Sequence, residues 1–396
     1  MAKRRGSVRK RSPAPTRPAL LEPASPRPAH PRRRILAVIA ACALLLVPLA
    51  VWLASTVTEP TPYRASLELA AEWFLGSQND FFIRYEYDLA ARQWTAEQHP
   101  LRELASLWSV AALGNHLPDG RLEAMAQRGF SSFENTFAKD ESGGFYYVDV
   151  TPGDVKLGYS AFAILSLLEM EHPRKDEYLR RLADGILSLQ GADGAFKTFF
   201  TSDSGSGQDY YPGEALFALM SLYEETGEVR YAEAVANAFM YYRIYWHASK
   251  STAFVPWQTR AYTRLYRASR DSRVSSFVFD MNDWMLGQHD SSDASGCSGF
   301  DFASKGVATG VYIEGLVEAY SLARELNDTA RANCYANYVR EGLDYQLTLQ
   351  VTGPGNESAA LGGFRGGDGK LRVDRTQHAV SAIMGACDAG IVECGI

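Results

Sequence analysis

The sequence lacks the short motifs that identify several large enzyme classes. It contains no GxSxG nucleophile elbow, no HExxH zinc motif and no EF-hand calcium loop. The glycine-rich run GGDGKL is not a phosphate loop, because Leu371 stands where Ser or Thr is required. These absences remove the usual sequence arguments for a serine esterase, a zinc peptidase or a nucleotide-binding protein.

Cysteine is also scarce, with five residues in a chain of 396. Cys42 lies in an apolar run, and the other four could form up to two disulfides outside the cell, with their connectivity undetermined. These four are Cys297, Cys334, Cys387 and Cys394. Their spacing is not that of a zinc site, and we predict neither a metal nor a cofactor.

Positive charge is scarce everywhere except at the N-terminus. Residues 1–34 hold eleven Lys and Arg and one acid, which leaves 29 basic and 45 acidic residues in 35–396, a formal charge of −16. We therefore expect no nucleic-acid partner. A polyanionic glycan would also be repelled, unless a local arginine group formed by Arg365, Arg372 and Arg375 overrides the net charge.

The N-terminus is predicted to be separate from the rest of the chain. Residues 1–34, rich in Arg, Pro, Ala and Ser, cannot form a core and should be disordered. Residues 35–57 are uncharged and long enough for one transmembrane helix, and the basic flank predicts a cytoplasmic N-terminus, with the domain on the other side of the cell membrane. A cleaved secretory signal is the alternative, although no clean cleavage site follows the run.

Residues 60–396 repeat a pair of helical segments about six times. One segment of each pair is amphipathic and the other is apolar on nearly every side, so an inner ring of buried helices wrapped by an outer ring is expected. The outer segments span roughly 63–77, 121–137, 175–190, 229–246, 271–288 and 328–349. The inner segments span roughly 101–113, 157–170, 212–224, 256–269, 309–324 and 376–387. The fold class is therefore all-α in a single domain, with short β-hairpins near Phe81 and Phe145.

Loops between outer and inner segments repeatedly contain a glycine with an aromatic residue shortly after it. These stretches begin at Ser142, Asp193, Ser298 and Gly362, and several follow a glutamine such as Gln190. This pattern resembles the repeat of the α/α toroid superfamily, which includes six-hairpin glycosidases, polysaccharide lyases and sugar epimerases. The resemblance implies an α/α toroid of six helical hairpins and leaves the activity open. A structural interpretation of the loops is that glycine permits a tight turn while the aromatic fills a gap between hairpins.

In such a ring the N-terminal ends of the inner helices open on one face, so polar residues there are candidate site residues. Both His99 and Lys156 stand at these entrances. The predicted substrate-binding residues are Arg102, Tyr159, Asp209, Tyr211, Trp257, Gln258, Tyr312, Arg365 and Arg375.

Glu214, in GQDYYPGEALFAL, is the strongest catalytic candidate. It follows Pro212 in a first helical turn, where it would act as general acid or base or simply stabilise the positive helix end. This stretch resembles the corresponding inner helix of glucuronyl epimerases and other six-hairpin carbohydrate enzymes.

Three further residues are catalytic candidates. Glu314 is a carboxylate in a buried helix, so it is either functional or paired with an arginine that Glu318 could share. Asp374, three residues before Gln377, is either catalytic or the N-cap of a capping box. His378 follows in the same helix as a candidate acid or base.

Two functions remain open from the sequence. One is a membrane-anchored enzyme outside the cytoplasm that acts on a polysaccharide or oligosaccharide. A glycoside hydrolase would use Glu214 with Glu314 or Asp374, whereas a lyase or epimerase on uronic-acid glycans would use tyrosine or histidine with an arginine. The alternative is a noncatalytic module that binds a glycan or protein in cell-envelope assembly.

Overall fold

Thirteen helices form the bulk of the described chain. The computed structural model describes residues 60–150, 155–287, 301–353 and 357–395. In chain order the helices are α1 (Pro62–Gly76), α2 (Pro100–His116), α3 (Gly120–Glu134), α4 (Leu157–Leu168), α5 (Lys175–Ser188), α6 (Tyr211–Thr226), α7 (Val229–Ala248), α8 (Val255–Ser269), α9 (Ser272–Gly287), the single turn α10 (Phe302–Lys305), α11 (Thr309–Glu325), α12 (Thr329–Leu349) and α13 (Val373–Asp388).

Six of these helices form a closed inner ring. α2, α4, α6, α8, α11 and α13 each pack against the next, and α13 packs against α2 to complete the circle. Their composition explains this position, since every residue of α4 from Leu157 to Leu167 is buried and a helix that is apolar all round needs partners on all sides. The predicted α/α toroid is confirmed for the described residues.

The remaining long helices wrap the ring from outside. α3, α5, α7, α9 and α12 each pack on the inner helix that precedes them, while α1 packs against α13. These helices bury only one stripe; α5, for example, buries Leu179, Leu182 and Ile186, while none of its charged residues is buried. Sequence periodicity thus places each helix in the correct layer.

Short strands connect the hairpins at one end of the ring. The strands are β1 (Glu86–Asp88), β2 (Gln93–Trp94), β3 (Phe137–Lys139), β4 (Tyr146–Val148) and β5 (Lys370–Arg372). β1 pairs antiparallel with both β2 and β5, and β3 pairs with β4, which confirms the predicted hairpins. The β1–β5 pairing joins the first loop of the domain to the last, so it helps to close the ring.

Glutamines at the ends of outer helices tie neighbouring hairpins together. Gln190 donates its side-chain N–H to the carbonyl of Ala234 in the next outer helix, at 2.8 Å. Gln350 makes the equivalent bond to Ser66, at 2.9 Å. Each amide thus adds a second hydrogen bond to a carbonyl inside the neighbouring outer helix and fixes the position of one hairpin against the next.

The glycine and aromatic of the repeated loop have the predicted structural role in two repeats. Gly194 and Gly362 adopt φ of 87° and 92°, a left-handed conformation that favours glycine. The following Phe196 and Phe364 are each 1% exposed. In the loop at Ser142 the buried aromatic is Tyr146, and the loop at Ser298 lies outside the described residues.

The prediction about disulfides can be compared with the structure, whereas the two predictions about the N-terminus cannot. Cys387 and Cys394 form a disulfide, as the cysteine count allowed. The predicted tail 1–34 and membrane helix 35–57 lie outside the described residues. Within the described ranges, none of the helices has the length and hydrophobicity required to span a bilayer.

Candidate functional site

The N-terminal ends of the inner helices meet at one end of the ring, which we call the mouth. The mouth is formed by Tyr85, His99, Arg102, Lys156, Tyr159, Tyr211, Glu214, Arg372 and Asp374. His99, Lys156 and Arg372 are N-cap residues of α2, α4 and α13. Helix N-termini carry unpaired N–H groups and partial positive charge, so the cations Lys156 and Arg372 at two of these caps add to a field that attracts anions.

Glu214 lies beneath this surface in the first turn of α6. The residue is 6% exposed, and its Oε2 has no hydrogen-bond partner among the described residues. Burial raises the pKa of the carboxyl to about 8, against the lowering effect of Lys156. Glu214 is therefore mostly protonated at neutral pH and can donate a proton.

Gly158 makes room for this carboxyl. A Cβ on Gly158 would collide with Oε2 of Glu214 and would stand 3.3 Å from side-chain carbons of both Leu101 and Tyr211. The carboxyl thus lies directly against the backbone of α4. Glycine in the KLGYS stretch is the signal in the sequence that corresponds to this close approach.

Asp374 joins two of the cations in the mouth. Its Oδ2 lies 3.3 Å from Nη1 of Arg102, and its Oδ1 lies 3.2 Å from Nε of Arg372. Arg102 also donates to the hydroxyl of Tyr85, at 2.5 Å. The capping interpretation of Asp374 is wrong, because the helix begins earlier than expected, its N-cap is Arg372 and no side chain caps it.

Two further groups in the mouth have shifted pKa values. Burial, together with Arg102 and Lys156, lowers the pKa of His99 to about 4, so its imidazole is neutral at pH 7. Burial and Glu214 raise the pKa of Tyr211 to about 12, which keeps its hydroxyl protonated. The mouth therefore offers neutral donors and acceptors beside fixed cations.

Glu314 and His378 form a second group deeper in the ring. Oε1 of Glu314 lies 2.9 Å from Nδ1 of His378, and its Oε2 accepts from Nη1 of Arg260 at 2.6 Å. The arginine partner expected for Glu314 is thus present. Glu318 does not share that hydrogen bond, since it accepts instead from Arg264, one turn along, at 2.7 Å.

Two predicted binding residues, Trp257 and Gln258, are buried in the first turn of α8. The ring of Trp257 is centred 6.2 Å from that of His378. Gln258 is completely buried, and neither its amide oxygen nor its nitrogen has a partner among the described residues. Neither of these two side chains is open to solvent, whereas the side chain of His378 is 23% exposed.

Four predicted site residues lie apart from the mouth cluster. Asp209 accepts from the hydroxyl of Tyr245 at 3.0 Å, and the hydroxyl of Tyr312 lies 3.2 Å from that of Thr252. The other two are arginines of the group predicted from the sequence.

The predicted arginine group does not exist as one cluster. Arg375 turns away from the mouth and makes two bonds to Asp368, of 2.6 and 2.7 Å, which lowers the pKa of that acid to about 2. Arg365 is exposed and lines a separate cavity of ≈ 420 Å³ with Arg92. Only Arg372 belongs to the mouth, where Arg102 and Lys156 supply the other cations.

An aromatic surface at the same end was missed by sequence reasoning. The rings of Tyr147 and Phe200 stack with centres 5.1 Å apart, and Phe145 lies 6.5 Å from each. Phe199 links this surface to the mouth through an edge contact with Tyr211, at 5.9 Å. Tyr85 was also missed. It lies in the β-prone run FFIRYEYD, and Phe145 and Tyr147 lie in the β-prone run FYYVDV.

Comparison with known structures supports the fold. The chain matches an unsaturated glucuronyl hydrolase specific for heparin (TM-score 0.59, 11% identity, 85% of this chain and 99% of that one). It also matches cellobiose 2-epimerase from Bacillus thermoamylovorans (TM-score 0.59, 13% identity, 81% of this chain and 98% of that one). A third match is an α-1,6-mannanase from a Salegentibacter species (TM-score 0.57, 9% identity, 83% of this chain and 99% of that one). These are α/α toroids, and at such identities the similarity establishes the fold alone. No family model matches the sequence, and no curated protein does.

Proposed function

We propose that the protein is a carbohydrate-active enzyme that acts on a uronic-acid-containing glycan at the mouth, with Glu214 as general acid. The observation that carries the proposal is the carboxyl of Glu214, buried without a partner and protonated at neutral pH beneath a cationic opening. Buried carboxyls with raised pKa values cluster at catalytic sites.

The chemistry we propose is glycoside hydrolysis. Glu214 would donate its proton to the glycosidic oxygen as the bond to the sugar carbon breaks. The second carboxylate, Asp374, would either activate the water that adds to that carbon or attack the carbon itself. Water supplies the remaining hydrogen and hydroxyl, so the products are two saccharides.

Charge and aromatic surface support the substrate class. Arg102, Lys156 and Arg372 lie where a uronate carboxylate could be bound, in the field of the helix N-termini. The stacked Tyr147 and Phe200 beside the mouth suit the apolar faces of further sugar rings. An oligosaccharide therefore fits the mouth better than a single sugar.

A proton-abstraction reaction, as in a lyase or epimerase, is the second candidate. It is favoured by His378, whose Nδ1 is held by the carboxylate of Glu314 at 2.9 Å. A carboxylate in this position orients an imidazole so that its other nitrogen can act as a base. Structural neighbours include proteins named as hydrolases and as epimerases, so both chemistries occur on this fold.

We further propose that residues 35–57 anchor the protein in the cell membrane, with the toroid on the extracytoplasmic side. The basic run before this segment and its apolar length support the proposal. Protease protection of the full chain in sealed vesicles tests it.

The catalytic proposal is tested by incubating the purified full chain with neutral and uronic polysaccharides and weighing the products by mass spectrometry. We expect a uronic substrate to be cleaved, and Glu214→Gln to reduce the rate by about 10²- to 10⁴-fold because the proton donor is lost. Glu233→Gln, a change of an exposed residue on the outer helix α7, is the matched control. Products whose combined mass exceeds that of the substrate by one water indicate hydrolysis, whereas an unsaturated product indicates a lyase. No product from any glycan would favour the noncatalytic binding module.

A further inference from the structure

The end of the ring opposite the mouth contains a cavity of ≈ 630 Å³ to which all six inner helices contribute. The space exists because small residues face the axis there. They are Ala112, Ser221, Ser321, Ser381 and Gly385. The volume falls within the range of about 300–1,000 Å³ that is typical of small-molecule sites.

The guanidinium groups of this cavity all come from α8, and carboxylates from other helices of the ring accompany them. Nε of Arg264 lies 3.1 Å from Glu224, and its Nη1 lies 2.7 Å from Glu318. The charged lining residues are Arg260, Arg264, Arg267, Glu169, Glu224, Glu225, Glu318 and Asp388. A ligand in the cavity would therefore meet hydrogen-bond donors and acceptors side by side.

The inner end of the cavity combines an apolar surface with a free donor. The guanidinium of Arg260 lies 4.9 Å from the ring centre of Trp108 and 4.2 Å from that of Phe217. Its Nε is buried and has no hydrogen-bond partner within the described ranges. A ligand oxygen that reached this N–H would leave the bond from Nη1 to Glu314 intact.

The electrostatic field at this end disfavours anions. Five carboxylates face three guanidinium groups, and the helix C-termini around the cavity add partial negative charge. A uronate would therefore be repelled. A ligand with many hydroxyl groups and no negative charge can instead donate to the carboxylates and accept from the arginines.

We propose that this cavity is a second saccharide site, which binds a neutral sugar unit and carries out no reaction. It is separate from the mouth and selects the opposite charge. The proposal does not require the mouth to be catalytic, because it predicts binding alone.

The test uses the purified full chain with cellobiose as the neutral probe and glucuronate as the charged one. We expect cellobiose to shift the NMR signal of the Trp108 indole, assigned with Trp108→Phe, and to bind at least tenfold more tightly than glucuronate at this site. Gly385→Leu should weaken cellobiose binding by at least tenfold, since a Cβ at Gly385 has only Val317 nearby, at 3.6 Å, and a larger side chain extends into the cavity.

Two controls keep this test decisive. Ser221→Leu blocks the cavity from another helix, so it replaces Gly385→Leu if that variant does not fold by circular dichroism. Glu214→Gln should leave cellobiose binding at the cavity unchanged, even where it removes activity. An unmoved Trp108 signal, cellobiose binding undiminished in both cavity variants, or tighter binding of glucuronate would overturn the proposal.

Discussion

The two ends of the inner ring place buried charge in opposite settings. At the mouth, Glu214 is buried with Oε2 unpartnered among the described residues and takes up a proton. Towards the other end, the buried Glu314 is matched by Arg260, and Glu318 by Arg264. Both settings lie on the same kind of apolar helix, so helix packing alone does not decide between them.

The difference separates a group poised to react from groups that hold helices together. A buried acid without a partner reduces stability unless it is protonated, and such a group is retained where proton transfer is needed. A buried ion pair between two helices fixes their relative position, and removal of one partner leaves the other charge uncompensated. The pairs Arg260–Glu314 and Arg264–Glu318 are therefore expected to stabilise the ring.

The largest expected effect on stability comes from breaking the ion pair between Glu314 and Arg260. Glu314→Ala leaves the guanidinium of Arg260 buried without its carboxylate, so we expect the free energy of unfolding to fall by about 3–5 kcal/mol. Urea denaturation followed by circular dichroism measures this change. The double variant Glu314→Ala with Arg260→Met should recover most of the loss. A single-variant loss below about 1 kcal/mol would mean that the pair does not stabilise the ring.

The second expected effect is a pH dependence caused by Glu214. Burial raises the pKa of its carboxyl from the ordinary value of 4.5 to about 8, so the folded chain binds a proton that the unfolded chain releases. The stability is full below pH 4.5 and falls as the pH rises towards 8, by about 3 kcal/mol at pH 7.

Urea denaturation of the full chain between about pH 5 and pH 8 measures this slope. Glu214→Gln should remove this contribution, because its side chain does not titrate, while Glu225→Gln at the opposite end should retain it. Equal slopes for Glu214→Gln and the unchanged protein would show that Glu214 is not protonated in the fold, and would remove the basis of its role as general acid.

The layers of this fold are predictable from the sequence because burial on all sides is a property of each helix by itself. The predicted inner segment 309–324 corresponds to Thr309–Glu325 almost residue for residue. The last inner helix begins at Val373, three residues earlier than expected, because the strand β5 sets its start through pairing with β1. That pairing joins residues almost 300 positions apart, so no local pattern could indicate it.

The site was less predictable because it depends on which side chains meet across helices. Glu214 was identified from a local signal, a carboxyl two residues after a helix-starting proline. The sequence did not indicate that the predicted arginine group would separate. Arg375 donates hydrogen bonds to Asp368, while Arg372 lies at the N-cap of the last inner helix. Two arginines three residues apart at the start of one helix thus pair with different carboxylates, Asp374 and Asp368.

The smallest expected effects on stability come from replacing one glycine at each end of the ring with alanine. Gly158→Ala forces the carboxyl of Glu214 to move, because the new Cβ would occupy its place. Since a carboxyl at the end of a side chain can shift, the loss of stability should stay within about 1–2 kcal/mol. The rate should fall further, by about 10- to 100-fold, because a displaced acid no longer meets the leaving oxygen.

Gly385→Ala is the matched change at the other end. Its Cβ meets only Cγ1 of Val317, at 3.6 Å, so we expect the helix to gain up to about 1 kcal/mol of stability and the rate to stay unchanged. Thermal unfolding and the glycan assay measure both variants side by side. If Gly158→Ala keeps full activity while the carboxyl is displaced, the reaction does not need Glu214 in its buried position, and the contrast between the two ends concerns stability only.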